Sequence, residues 1–422
     1  MITEFKVQNF KSWRYTSALD FAPLTGLFGA NSSGKTSILQ VLLMLKQTVE
    51  RPSDWNEPLY FGDEESLVNL GSFDDVIYQH RQDLSLDISV SWEPIEDVYI
   101  EPQYPYRGPK KLKLPSNVEV YHSARSRWPS ATEKNITFST NIDRSAVKIF
   151  CYETSQYRFE VQESSNLFRC YGLVEPLDFP SFKEAFENLF TQICYLGPLR
   201  EHPRPHYLWG GDHPKNIGQY GEKAIPAMLS GRVRLLSIEE QILKWLQQLE
   251  LIYSYNLHPV PDTEKDYEFR VKKYKNGPEV RLTDVGFGIS QVLPVLILCY
   301  YVPEGSILIL EQPEAHLHPK VQADLADVLV DVVKNRNVQV ILESHSEHLL
   351  MRLMRRMAEE QISVDDTALY FCQINDGTSA IERLQMDEYG NISNWPQNFF
   401  GDEMGDLAAK AKAEIQRRKR NK

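Results

Sequence analysis

Cysteine is scarce and unpaired in this 422-residue chain. The five cysteines, Cys151, Cys170, Cys194, Cys299 and Cys372, are odd in number and include no CxxC pair. That pattern excludes a disulfide framework and points to reduced, buried thiols in a cytosolic protein. Long apolar runs are missing as well. The longest, VLPVLILCYYV from Val292, is too short to span a bilayer and contains Pro294. The first residues, MITEFKVQNFKSW, alternate like a strand and lack the charged and apolar regions of a signal peptide. A cytoplasmic location without a membrane partner is therefore expected. Basic charge is in deficit: 46 Lys and Arg against 58 Asp and Glu give a net charge of -12. Broad non-specific affinity for nucleic acid is disfavoured by that balance. No heptad array and no internal repeat is found, which argues against a coiled-coil arm.

What is present is ordinary for a folded chain, with 42% apolar and 25% charged residues. The length suits two or three domains, or one large core with insertions. Strand-like stretches at 2–7 and 16–28 lead into a Gly/Ser-rich turn, and KTSILQVLLMLKQTV then carries the i, i+3, i+4 spacing of a helix. Period-2 patterns from about 84 to 174 predict an antiparallel, hairpin-rich insertion. Helical spacing returns in SFKEAFENLFTQI and SIEEQILKWLQQLEL, and Asn276-Gly277 in KNGPE suits a hairpin turn. From 282 to 351 helices alternate with buried strands, as in a parallel α/β sheet. The division expected is 1–94 for the first part of the head, 95–190 for the β-rich insertion and 191–265 for a helical, lid-like connection. It continues with 266–360 for the second part of the head and 361–422 for a small C-terminal domain.

Two motifs carry chemistry. GANSSGKT, Gly29 to Thr36, matches GxxxxGK[ST] between a strand and a helix. In such a loop Gly29, Ala30, Asn31, Ser32, Ser33 and Gly34 turn amides toward phosphate oxygens, Lys35 neutralises the β and γ phosphates, and Thr36, beside Ser37, offers a hydroxyl to Mg2+. ATP and Mg2+ are the expected ligands. SILILEQPE supplies the acid such a loop needs, because Ile307 to Leu310 form a buried strand that delivers Glu311 to the metal side. Gln312 follows it. An amide orients water but is no base at neutral pH, so Glu314 stands as the alternative base.

With these motifs placed, LTDVGFGISQVLP (282–294) and VQVILESHSEHLL (338–350) fall in the order of ABC-type ATPases. The whole chain resembles stand-alone bacterial ATPases of the SMC, RecF and OLD head group, and is most similar to the subgroup with an EQPExHLHP box. NFKSW, YLGPLRE and WPQNFF also resemble that subgroup. The resemblance implies an ABC/SMC-head α/β fold with a mixed sheet, a β-rich insertion and a helical lid. It implies that Gly288, Ser290 and Gln291 of the signature turn reach the γ-phosphate held by another protomer, in a homodimer or higher oligomer closed around ATP. It implies that His345 senses the γ-phosphate. Phe287 departs from the usual signature serine, and Gln312 stands where the catalytic glutamate is usual, which implies slow hydrolysis. By analogy with that group, the chain is expected to act as an ATP switch for a separate effector protein, such as a nuclease in defence against phage. The alternative is a RecF-like ATP-dependent clamp on DNA.

Other features have two readings each. His316, His318, His345 and His348 show metal-like spacings, but HLHP also fits a turn and helix start. Arg200 suits a phosphate contact or an ion pair with Glu201 or another acid. The segment 106–128 mixes Lys and Arg with Tyr106, Tyr121 and Trp128, as a nucleic-acid groove or a solvated hairpin would. The basic tail from Lys410 suits a terminal helix that docks a partner.

Overall fold

The computed structural model describes residues 1–51, 59–81, 83–92, 180–233, 237–263 and 265–396, with 399 and 410, and only the strands between 99 and 149. The side chains of 106–128, Cys151, Cys170 and the tail past Lys410 lie outside the described residues.

Five strands build the centre, and each is buried because both of its faces are covered. The elements that position the site are β1 (Ile2–Phe10), β2 (Leu24–Gly29), α1 (Lys35–Val49), β3 (Ile193–Leu196), α2 (Phe287–Tyr301), β4 (Ile307–Glu311), α3 (Pro319–Arg336), β5 (Gln339–Glu343), α4 (Glu347–Ala358), β6 (Thr367–Asn375) and β7 (Thr378–Arg383). The sheet order is β3-β4-β5-β2-β6-β7. All neighbours up to β6 are parallel, and β7 closes the edge antiparallel. Alternate residues feed two cores. Phe28, Leu308, Leu310, Leu342 and Leu369 face α2, α3 and the helices Ala224–Val233 and Ile238–Gln248. Leu27, Ile307, Ile309, Ile341 and Ala368 face α1 and β1.

The antiparallel strands Ser85–Trp92, Val118–Arg125, Thr137–Ile142 and Val147–Ile149 pair in sequence and extend the sheet that holds β1. The stretch expected as one strand over 16–28 is two. Leu19–Asp20 pairs with β1, while β2 starts after Pro23, whose carbonyl accepts from Val340 N at 2.7 Å. A proline there removes a ladder donor and lets the chain change sheets. The KNGPE hairpin joins Asp266–Lys272 to Glu279–Arg281, with Lys272 opposite Glu279.

Local chemistry explains the helix starts. Pro319 opens α3, where its missing N–H costs nothing, and His318 Nδ1 accepts from Lys320 N at 3.3 Å. Ser346 caps α4, its hydroxyl accepting from Leu349 N at 3.0 Å. Helix α1 is different: its N-cap is Gly34 in the left-handed region, with no side-chain cap. Among the described residues the longest helix has 18 residues, so no coiled-coil arm leaves this body.

Candidate functional site

Parallel strands β2, β4 and β5 all point one way, so Gly29, Glu311 and Glu343 meet at one edge, where α/β sheets bind ligands. The loop after β2 is tightly cradled. Gly29 has φ +136, and a Cβ there would strike the Cys372 carbonyl oxygen of β6. Gly34 has φ +93, and a Cβ there would strike Ser379 Oγ and the Trp13 indole. Trp13 Nε1 donates to the Gly34 carbonyl at 3.0 Å. Ala30, Asn31 and Ser32 are exposed at the mouth, and Ser33 is buried below them.

Lys35 lies folded over its own loop. Its ammonium donates to the Gly29 carbonyl at 3.0 Å and to the Ala30 carbonyl at 2.7 Å. Burial pushes its pKa down, and the Glu343 carboxylate 4.0 Å away opposes that shift. Thr36 Oγ1 donates to Glu343 Oε2 at 2.7 Å. Ser37 follows with its amide on the Gly34 carbonyl at 3.1 Å.

On the acid side, Glu311 Oε1 accepts from the Tyr195 hydroxyl at 3.0 Å. Burial, and then the charge of Glu343, push its carboxyl up to about 7, against the Tyr195 bond and Arg200. Arg200 is buried, and its Nη2 is 3.4 Å from the Glu311 carbonyl. Nε and Nη1 of Arg200 have no partner, and burial lowers the guanidinium to about 10. Glu201 pairs instead with Arg204.

Gln312 sits in the left-handed region at φ +44, its amide bonded to the Glu343 carbonyl at 2.8 Å. Its side chain also donates to the Glu343 carboxylate. Glu314 braces the β5–α4 turn: Oε1 accepts from Ser344 Oγ and from His345 N, each at 2.8 Å, Oε2 is buried without a hydrogen-bond partner, and burial raises its pKa. His345 bonds the Gly29 carbonyl, and its Nε2 is 3.8 Å from Glu343 Oε1. Burial, then Lys35, lower its pKa.

The signature turn lies at the start of α2. Ser290 and Gln291 are buried there, and the Ser290 hydroxyl is spent on the Phe287 carbonyl at 2.7 Å. Gly288 is half-buried and Phe287 is 44% exposed, so the outward groups at this turn are Phe287 and backbone. The Phe287 ring packs between His202 and His316, with centroids 5.8 and 5.4 Å away. His316 and His318 therefore serve this ring and the α3 cap.

One residue of this centre escapes the motif search. Glu343 lies beside Thr36, Lys35, Gln312 and His345, yet within VQVILESHSEHLL the sequence assigned a role only to His345. The signal for it was present: VQVILE repeats the apolar-run-then-acid pattern of ILILE.

The sequence pattern of an AAA ATPase domain matches residues 1–185 and 234–350. That of a protein of unknown function (DUF3696) matches 362–409, where the Trp395 and Phe399 rings meet edge to face and Phe399 lies against Phe28 of β2. No curated protein matches significantly. Among solved structures, an SMC head bound to the C-terminal winged-helix domain of ScpA aligns at TM-score 0.48 and 11% identity, over 91% of this chain and 98% of that one. The SMC head domain from Thermotoga maritima gives 0.44 and 12%, over 91% and 99% of the two chains. A Smc head from Pyrococcus furiosus, with an extended coiled coil and bound to the C-terminal domain of ScpA, gives 0.45 and 12%, over 98% and 99%. Because the first pattern spans most of the chain, from the phosphate loop through β4 and β5 into α4, the protein belongs to the AAA ATPase domain family.

Proposed function

We propose that the chain binds Mg2+-ATP in the Gly29–Ser37 loop, hydrolyses it slowly, and uses the lifetime of the bound state to control a separate effector. The observation that carries this is the contact between the loop and the acid strands: Thr36 and Lys35 converge on the buried Glu343, with Glu311 opposite it in register. The donor set fits the metal. Hydroxyl and carboxylate oxygens suit Mg2+, which is held by few protein ligands and by substrate phosphates. Burial first, and then the charge of Glu343, raise the pKa of Glu311, and a cation at the two acids would offset the second of these. Thr36 and the carboxylates of Glu343 and Glu311 would hold the ion, which would supply positive charge to offset that of the phosphates.

The side chains then divide the work. Gly29 to Gly34 supply inward amides, and Lys35 exchanges its loop carbonyls for phosphate oxygens. Gln312 orients the attacking water, held in place through Glu343. An amide accepts no proton at neutral pH, so turnover is slow. Glu314 fixes the β5–α4 turn through Ser344 and the His345 amide. His345, bonded to Gly29, reports the occupant of the loop to α4. Dimerisation around ATP uses the amides at the start of α2 and the exposed Phe287, since the Ser290 hydroxyl is already bonded. Control of an effector such as a nuclease is supported by the resemblance alone.

Three measurements on the purified chain test this: ATP affinity, single-turnover hydrolysis and mass in solution with a non-hydrolysable analogue. ATP binding abolished by Lys35→Ala, slow hydrolysis and analogue-dependent dimers are expected. Equal affinity in Lys35→Ala sinks the ATP site, and salt-dependent, ATP-requiring DNA binding without a protein partner favours a clamp.

A further inference from the structure

Strand β5 ends on an acid that lies closer to the phosphate loop than the acid of β4. The order β4-β5-β2 puts Glu343 on the strand beside Gly29 and Glu311 one strand farther out. Glu343 is 3% exposed, and each of its oxygens is aimed at a group of the nucleotide machinery. Oε2 accepts a hydrogen bond from Thr36 Oγ1 at 2.7 Å. Oε1 lies 4.0 Å from Lys35 Nζ and 3.8 Å from His345 Nε2. Glu311 is instead held by Tyr195 of β3.

Hydrogen-bond directions make this pairing informative. A threonine hydroxyl has one proton and two lone pairs. With its proton given to Glu343, Thr36 keeps its lone pairs for a cation. The side chain of Gln312, one residue past the end of β4, lies near the same carboxylate and offsets part of the rise in pKa that burial gives it, where a second glutamate would repel it. The carboxylate and the amide are arranged as complements across two strands.

We propose that Glu343 is the carboxylate that seats Mg2+ on Thr36, and that it makes ATP binding conditional on the metal. The assignment rests on the ATP site proposed above. Without Mg2+, a buried carboxylate faces a triphosphate and repels it. With Mg2+, the same carboxylate holds the water shell of the ion and Thr36 holds the ion. Gln312 is then the residue that keeps Glu343 pointed at Thr36, in addition to orienting water.

The test is the ratio of dissociation constants in EDTA and in Mg2+, read by anisotropy of a fluorescently labelled ATP on the full chain. Groups that orient a metal change its affinity by roughly 10- to 100-fold when removed, which sets the scale. In the wild type the labelled ATP should bind at least ~10-fold tighter with Mg2+ than in EDTA. Glu343→Gln keeps an acceptor for Thr36 and loses the charge, so affinity in EDTA should rise, affinity in Mg2+ should fall, and the ratio should approach one. Glu311→Gln should lower the ratio by less than Glu343→Gln does, because its strand lies one place farther from the phosphate loop. Glu343→Asp, a second variant that keeps the charge but withdraws it, should retain the EDTA penalty and lose the Mg2+ gain; thermal melting checks that each variant folds. A ratio that collapses in Glu311→Gln and survives in Glu343→Gln overturns the proposal and returns the metal to β4. A wild type that binds tightly with an unchanged ratio near one overturns it while leaving the ATP site standing. A wild type that fails to bind in either buffer overturns the ATP site itself.

Discussion

Glu311 should make the nucleotide-free protein less stable as pH rises, and its amide isostere should remove that loss. The carboxyl is carried from 4.5 to about 7 in the fold. Glu343 faces it from β5, Tyr195 from β3 and Arg200 from the loop after β3. Between those pH values the native state binds more protons than the unfolded chain, so unfolding free energy falls with rising pH. Each tenfold in proton affinity corresponds to about 1.4 kcal/mol, so the loss saturates above neutrality at about 3 kcal/mol. Glu311→Gln still accepts from Tyr195 and never ionises. It should exceed the wild type by about 3 kcal/mol at pH 8 and by less than about 1 kcal/mol at pH 5. Denaturant titrations at the two pH values, in EDTA and without nucleotide, read this directly. A difference that is flat across pH, or larger at pH 5, refutes the claim that burial and Glu343 raise this acid.

Other substitutions test separate parts of the site. Arg200→Met removes the buried cation that faces Glu311 and Glu314 and leaves their charge uncompensated, so stability in denaturant should fall by roughly 3 kcal/mol at neutral pH, and ATP turnover should be lost. Turnover persisting in that variant denies Arg200 a role at Glu311. Gly29→Ala pushes a Cβ into the Cys372 carbonyl at a φ of +136, and should destabilise by roughly 3 kcal/mol or more through opening of the β2–β6 pairing. A thermal melt within a degree of the wild type contradicts it. Gln312→Ala should slow single-turnover hydrolysis by roughly 100-fold with little change in ATP affinity if the amide orients water. Fast turnover in Gln312→Ala that is lost in Glu314→Ala assigns the chemistry to Glu314.

Much of the centre was legible because its parts are local. Gly29 to Thr36 is contiguous, and the apolar runs of β4 and β5 announce buried parallel strands. Relations between strands were not legible. Whether Thr36 meets Glu311 or Glu343 depends on which strand lies beside β2, and sheet order leaves no trace in spacing. The orientation of the signature turn was not legible either. GFGISQ has polar residues at the expected places, but the turn of α2 directs Ser290 and Gln291 inward and leaves Phe287 outside. The Arg200 pairing depends on the loop after β3, which sends Glu201 toward Arg204. The side chains of 106–128, and residues 411–422, both read from composition, lie outside the described residues.

The cradle around Gly34 ties the nucleotide loop to events in synthesis. Ser379 of β7 lies over that glycine, its hydroxyl 2.7 Å from Ser12 Oγ and its amide on the Ser12 carbonyl at 2.8 Å, while β6 pairs along β2. The loop leaves the ribosome early, and its lid leaves roughly half a minute later at ordinary elongation speed. Until residues 367–383 emerge, β2 has an open edge and Gly34 has no roof. A chain interrupted before that point would contain every nucleotide motif and still have no finished site. The cradle around Gly34 is thus complete only once the polypeptide has been made through β7.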